Sequence, residues 1–113
     1  MGRIDGYRFG RIVVDGREET ADVIVLPDRT VSNWRRRDGH SLVLEDLDEV
    51  LQELPPRLVI GTGANGRLHP DPVTLELLRQ RGIEVEALPT DEAVRRFQEL
   101  DPAATAAALH LTC

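Results

Sequence analysis

The chain has 113 residues, 41% of them hydrophobic and 30% charged, with a formal net charge of −6. That length and mixture fit one folded domain over residues 1–113 with a modest core, and argue against a disordered tail. The acidic balance argues against a nucleic-acid binder or a protein held to an anionic membrane, and no apolar run is long enough to span a bilayer.

The first third reads as strands. Tyr7, Phe9 and Ile12-Val13-Val14 form a β-rich stretch closed by the Asp15-Gly16 turn signal. Ala21 to Leu26 is a second apolar run, ended by Pro27-Asp28, and Thr30 to Trp34 is a third. Short turns between consecutive strands predict an antiparallel meander. The period then changes. Leu44, Leu47, Val50, Leu51 and Leu54 recur at helical spacing, with Asp46, Asp48 and Glu49 on the other face, so a helix is expected up to Pro55-Pro56.

Leu58-Val59-Ile60 is a continuous apolar run, as a strand buried on both faces requires. Asp71 is an N-cap candidate with Pro72 at the first helical position, and Gly82 falls where a left-handed residue ends the helix. Ile83, Val85 and Ala87 alternate with Glu84 and Glu86 as a half-buried strand. Thr90 is expected to cap a further helix, with Ala93, Phe97 and Leu100 as its buried stripe and Pro102 beyond its end. The tail from Ala103 to Cys113 stays open: its alanines favour helix, whereas Leu109, Leu111 and Thr112 suit a strand. The second half fits right-handed crossovers between parallel strands, with helices on one face of a central sheet and part of the meander on the other.

Two segments stand out chemically. Gly61-Thr62-Gly63-Ala64-Asn65-Gly66 matches G-x-G-x-x-G after a strand, the dinucleotide-binding pattern. That chemistry needs a helix to open at the glycines, and here Arg67-Leu68-His69-Pro70-Asp71 intervenes. The glycines then read as a tight turn whose exposed amides could take a small anion. Trp34-Arg35-Arg36-Arg37 is the second segment. Trp and Arg are the residues most enriched at interaction hot spots, so Trp34 and Arg35 are candidates for a partner surface, while Arg36 and Arg37 read as solvated.

Other chemistry finds little support. The chain has no Lys, which removes Schiff-base and P-loop mechanisms. His40, His69 and His110 lack metal-ligand spacing and read as surface or loop residues. Cys113 is the only cysteine and has no positioned activating group, and Ser32 and Ser41 lie in no nucleophile motif. No catalytic residue, metal or cofactor is expected. With no secretory signal, the cytoplasm is the expected compartment. Nothing resembles a heptad, and the oligomeric state stays open.

Several segments converge on one family. Tyr7-x-Phe9-Gly10, Trp34-Arg35, Leu58-Val-Ile-Gly-Thr-Gly63, Leu78-x-x-x-Gly82-Ile83, Thr90-Asp-Glu-Ala93 and Leu109-His-Leu-Thr-Cys113 follow in an order and spacing that resemble the Mth938-like domain family over essentially the whole chain. The resemblance implies an α/β fold of three layers: a central mixed β-sheet, helices on one side and a β-layer on the other. It also implies that the tail is a strand. The family has no established catalytic residues to carry over, and its eukaryotic relatives include a mitochondrial complex I assembly factor. Two readings follow. The first is a non-catalytic protein-interaction or assembly module using Trp34 and Arg35. The alternative is a small-anion or metabolite binder, with or without catalysis, using Gly61, Thr62 and Gly63 with Arg35 as anion partner.

Overall fold

The structure is a computed structural model and describes residues 2–113. The chain opens with a meander of β1 (Ile4–Arg8), β2 (Arg11–Val14) and β3 (Arg17–Glu19), paired antiparallel in that order. The Asp15-Gly16 turn between β2 and β3 puts both residues at positive φ, 51° and 78°, which suits the twist of a tight hairpin. Next come β4 (Val23–Val25), β5 (Thr30–Val31) and the two-residue β6 (Ser41–Leu42). After them lie β7 (Arg57–Thr62), the short β8 (His69–Pro70), α1 (Pro72–Gln80), β9 (Glu84–Leu88), α2 (Thr90–Glu99) and β10 (Thr105–His110).

The central sheet has the order β5-β4-β10-β7-β9 and is mixed. β10 runs parallel to β7, β7 parallel to β9, and β4 antiparallel to both β10 and β5. Its two faces follow the strand period of two. Ile24, Leu58, Ile60, Ala106 and Ala108 face one core, with Trp34, Leu47, Val50, Leu68 and Leu78 packed on them. Val23, Val25, Val59, Ala107 and Leu109 face the other, covered by Ile4, Ile12 and Val14 of the meander and by Ala93 and Phe97 of α2. Leu58, Val59 and Ile60 are all fully buried. Each such side chain contributes about 1.5–3 kcal/mol of apolar burial.

The central mixed sheet and its β-layer stand as expected, and the helices divide between the two faces. α1 lies opposite the meander, whereas α2 lies beside it. Crossover handedness accounts for this. The path from β7 to β9 moves toward the sheet edge, and the path from β9 to β10 moves back past β7. Two right-handed crossovers in opposite directions place their helices on opposite faces.

Two local expectations are corrected. Leu44 to Leu54 is two separate turns of 3₁₀-helix, Leu44–Leu47 and Leu51–Glu53, rather than one α-helix. Glu45, Asp46, Asp48 and Glu49 crowd like charges into one turn, and acidic residues oppose the dipole at a helix C-terminus. Val50, at φ −116° and ψ 0°, separates the two turns. The apolar spacing still does its work, since Leu47 and Val50 are fully buried. Thr90 is not an N-cap: Pro89 holds that position, and the Thr90 hydroxyl bonds elsewhere. The short parallel pair β6–β8 is an addition that no apolar run announces. The tail is a strand, and β10 is buried along its length. In the middle of the sheet, the small alanines let both layers approach closely, so tertiary packing overrides helix propensity. At the first helix the expectation holds: Asp71 accepts the Val73 N–H at 3.0 Å, and Pro72 opens α1.

Candidate functional site

The Trp34–Arg37 segment leaves β5 through Asn33, whose φ of 56° lies in the left-handed region that Asn tolerates. The Trp34 N–H then donates to the Asp22 carbonyl at 2.8 Å, which seats the segment against the start of β4. From there side chains alternate inward and outward. Trp34 points in and is 7% exposed, and its Nε1 donates to the Asp46 carbonyl at 2.8 Å. Arg35 points out. Arg36 points in again, with a side chain only 5% exposed, and Arg37 points out.

Arg36 is therefore not the solvated arginine that a charge run suggests. Its Nη1 donates to Asp22 Oδ2 at 2.9 Å, and its guanidinium lies 4.8 Å from the centre of the Trp34 ring. Nη2 lies 3.1 Å from His110 Nδ1, and that nitrogen is 2.8 Å from Asp22 Oδ2. The shorter contact is to the carboxylate, so a proton on Nδ1 donated to Asp22 satisfies it. Asp22 Oδ1 accepts the Leu111 N–H at 2.8 Å. His110 is buried at the end of β10 rather than on the surface. The antiparallel register that pairs Leu109 with Val23 brings it beside Asp22. His40 and His69 are exposed as expected.

The glycine loop meets this cluster from the other side, because His110 pairs with Thr62 in the parallel ladder. Gly61 and Gly63 are required for different reasons. A Cβ on Gly61 would stand 2.8 Å from Leu109 Cδ2 and 2.9 Å from Thr90 Oγ1, so a side chain there would push away the start of α2. Gly63 has φ of +100°, and a Cβ there would meet the Cys113 carbonyl oxygen at 2.5 Å and His110 Cδ2 at 2.9 Å. Thr90 ties the loop down. Its Oγ1 accepts the Gly63 N–H at 2.8 Å and donates to the His110 carbonyl at 2.6 Å.

The loop amides expected to be exposed are engaged within the chain. Gly63 donates to Thr90, Ala64 to the Thr112 carbonyl, Gly66 to Gly63, Arg67 to Cys113 and Leu68 to Thr62. Gly61, Thr62 and Gly63 are themselves buried. The two sequence-selected segments are thus neighbours, joined by Asp22, Arg36 and His110, which sequence reasoning passed over. Arg35 does not reach the loop. It lines a shallow surface groove with Ser32, Asn33, Trp34, Glu45 and Asp48. Among the described residues, neither Arg35 nor Arg37 forms an ion pair. The only buried side-chain nitrogen or oxygen among the described residues that lacks a partner is Arg36 Nε.

A mixed five-stranded sheet covered on one face by a three-stranded β-layer defines a small α/β protein of the Mth938-like type. The chain belongs to the family described as protein of unknown function (DUF498/DUF598), which matches residues 4–110. A mouse (Mus musculus) protein named NADH dehydrogenase [ubiquinone] 1 alpha subcomplex assembly factor 3 is 34% identical over 101 residues, 86% of this chain. The chain spans about half (52%) of the length of that curated relative. A conserved hypothetical protein of Pyrococcus horikoshii has a crystal structure that superimposes with a TM-score of 0.82 at 31% identity, covering 98% of this chain and 99% of that one. The structure named MT938 gives 0.79 at 31% identity, covering 100% of both chains. A Bordetella pertussis protein described as an Mth938-like domain, at 20% identity and a TM-score of 0.77 over 97% of this chain and 85% of that one, shares the fold. No helix among the described residues is long and apolar enough to cross a membrane.

Proposed function

We propose that the chain is a non-catalytic protein-interaction or assembly module whose partner surface is centred on Arg35 and backed by Trp34, with the cytoplasm as its compartment. One observation carries this reading: an arm fixed by a buried arginine leaves its neighbour exposed and without an ion pair beside a groove. The backbone that carries Arg35 is then fixed before binding, which limits the backbone ordering that binding would otherwise require. Kinship with a protein named an assembly factor supports the same class of role. The engaged amides at Gly61–Gly63 give no support to the anion-binding alternative.

Affinity capture from native lysate tests the proposal, with wild type compared against Arg35→Glu. Specific recovery of a partner by wild type, reduced about tenfold or more in the folded variant, is expected for a hot-spot arginine. Absence of any specific partner, or equal recovery by both, would overturn it.

A further inference from the structure

α1 carries two apolar side chains that the core does not use. Val73 is 64% exposed and Leu77 is 37% exposed, four residues apart and so one turn apart on a single face. Across from them, Val43 and Leu44 at the start of the first 3₁₀ turn are half-buried, and the four side chains line one groove. The same groove is lined by four carboxylates, Asp38, Glu45, Asp46 and Asp71, against one cation, Arg37. None of the ion pairs among the described residues involves any of the four. Three of them are held in place by the backbone. Asp38 accepts the N–H of His40, Asp46 accepts the N–H groups of Arg37 and Val43, and Asp71 accepts that of Val73.

We propose that this groove docks a cationic amphipathic helix of a partner protein, an inference that rests on the interaction-module reading above. The apolar floor fits a helix because Val73 and Leu77 form a ridge with helical spacing, and ridges of that kind pack into the side-chain grooves of another helix. Charge decides which helix. Unpaired, prepositioned carboxylates around an apolar floor match Lys or Arg flanking an apolar stripe, and repel an acidic one. The same rule disfavours a second copy of this chain seated face to face, since a twofold contact would oppose two sets of carboxylates. The groove shares Arg37, Glu45 and Asp46 with the one beside Arg35, so a single partner can span both.

Two fluorescein-labelled synthetic peptides test this. They share a Leu stripe at i, i+3, i+4 and i+7, with Lys and Arg on the flanks of one and Glu on the flanks of the other. By anisotropy, the cationic peptide binds wild type, weakens as salt is raised, and loses about tenfold or more in affinity to the Val73→Asp/Leu77→Asp variant. Backbone amide shifts on binding cluster at Val43, Leu44, Val73 and Leu77. Because the substituted side chains are exposed, circular dichroism of the variant stays that of wild type. Equal binding of both peptides, binding of neither, shifts centred elsewhere, or concentration-dependent self-association through α1 would overturn the inference. A partner captured through Arg35 that still binds the Val73→Asp/Leu77→Asp variant overturns the groove and leaves the module reading intact. Peptide binding at the groove without any captured partner does the reverse.

Discussion

Arg36 lies with its guanidinium 4.8 Å from the ring centre of Trp34, two residues earlier in the chain, while donating to Asp22 at 2.9 Å. One side chain thus packs against a core aromatic and neutralises a carboxylate that also holds His110 and the Leu111 amide. Removing one member of such a buried pair leaves an uncompensated charge, which costs about 3–5 kcal/mol. Arg36→Met is expected to lower stability by that order in urea denaturation. The double variant Asp22→Leu/Arg36→Met is expected to recover part of the loss, because no charge is then stranded. A single-variant cost below about 1 kcal/mol would place Arg36 among ordinary surface arginines.

The loop glycines make a graded prediction. Gly63→Ala forces a Cβ toward the Cys113 carbonyl at a φ of +100°, and is expected to cost about 1–3 kcal/mol. Gly61→Ala crowds Leu109 and Thr90 and is expected to cost about 1–3 kcal/mol by overpacking. Gly6→Ala, with nothing within 4 Å of the added carbon, is expected to stay within about 0.5 kcal/mol of wild type. Thermal denaturation of the three variants tests whether Gly61→Ala and Gly63→Ala both lose more stability than Gly6→Ala.

Tyr7 is the only tyrosine, so its ionisation can be followed directly. Its pKa is raised above the usual phenol value, first by burial and then by the nearby charges of Asp91 and Asp22, and its hydroxyl donates to the Leu111 carbonyl at 3.0 Å. A raised folded pKa means that the neutral form is favoured in the native state. The contribution is complete below the unfolded pKa and is lost as pH rises through the folded one. The tyrosinate absorbance of the native protein is expected to appear at higher pH than that of the denatured chain. Stability is expected to fall across that alkaline window, and to fall less in Tyr7→Phe.

Glu86 makes the opposite prediction in acid. Arg96 holds its carboxyl below the usual range through hydrogen bonds near 3.1 Å, burial opposes that shift, and Arg57 adds a weaker attraction. A lowered folded pKa gives stability that is present above the unfolded value and lost as pH falls through the folded one. Glu86→Gln is expected to flatten that acid limb. The group is partly exposed, so the loss at neutral pH should be no more than about 1 kcal/mol. An unchanged acid limb in urea titrations between neutral and acid pH would contradict the assignment.

How much of this was legible in the residues depended on whether the signal was local. The Leu58–Ile60 strand, the Asp71-Pro72 helix start and the Asp15-Gly16 turn follow from neighbours in sequence, and they formed as expected. β10 did not declare itself, because Ala106–Ala108 are a strand only by virtue of the layers that bury them. The Leu44–Leu54 spacing named the buried side correctly, but like charges kept it from being one helix.

At the candidate site, Trp34 and Arg35 separate into an inward and an outward residue. Continuing that alternation by one step would have pointed Arg36 inward. A charge run hides that signal, since solvation is the ordinary state of arginine. Asp22 and His110 lie 88 positions apart, and only the β4–β10 register brings them together. The glycine pattern had a visible spacing and a misleading analogy; its amides are engaged by Thr90 and the chain's last residues.

Site-specific photo-crosslinking in cells tests the central claim, that the exposed side of the Trp34–Arg37 arm meets a partner, most directly. A crosslinker at Asp48, which is exposed and lines the groove beside Arg35, leaves Arg35 itself intact. A discrete protein adduct is predicted from position 48, lost when Arg35→Glu is added, and not formed from a control crosslinker at the exposed Arg17 of β3. No adduct from position 48, or one that persists with Arg35→Glu, would contradict the account.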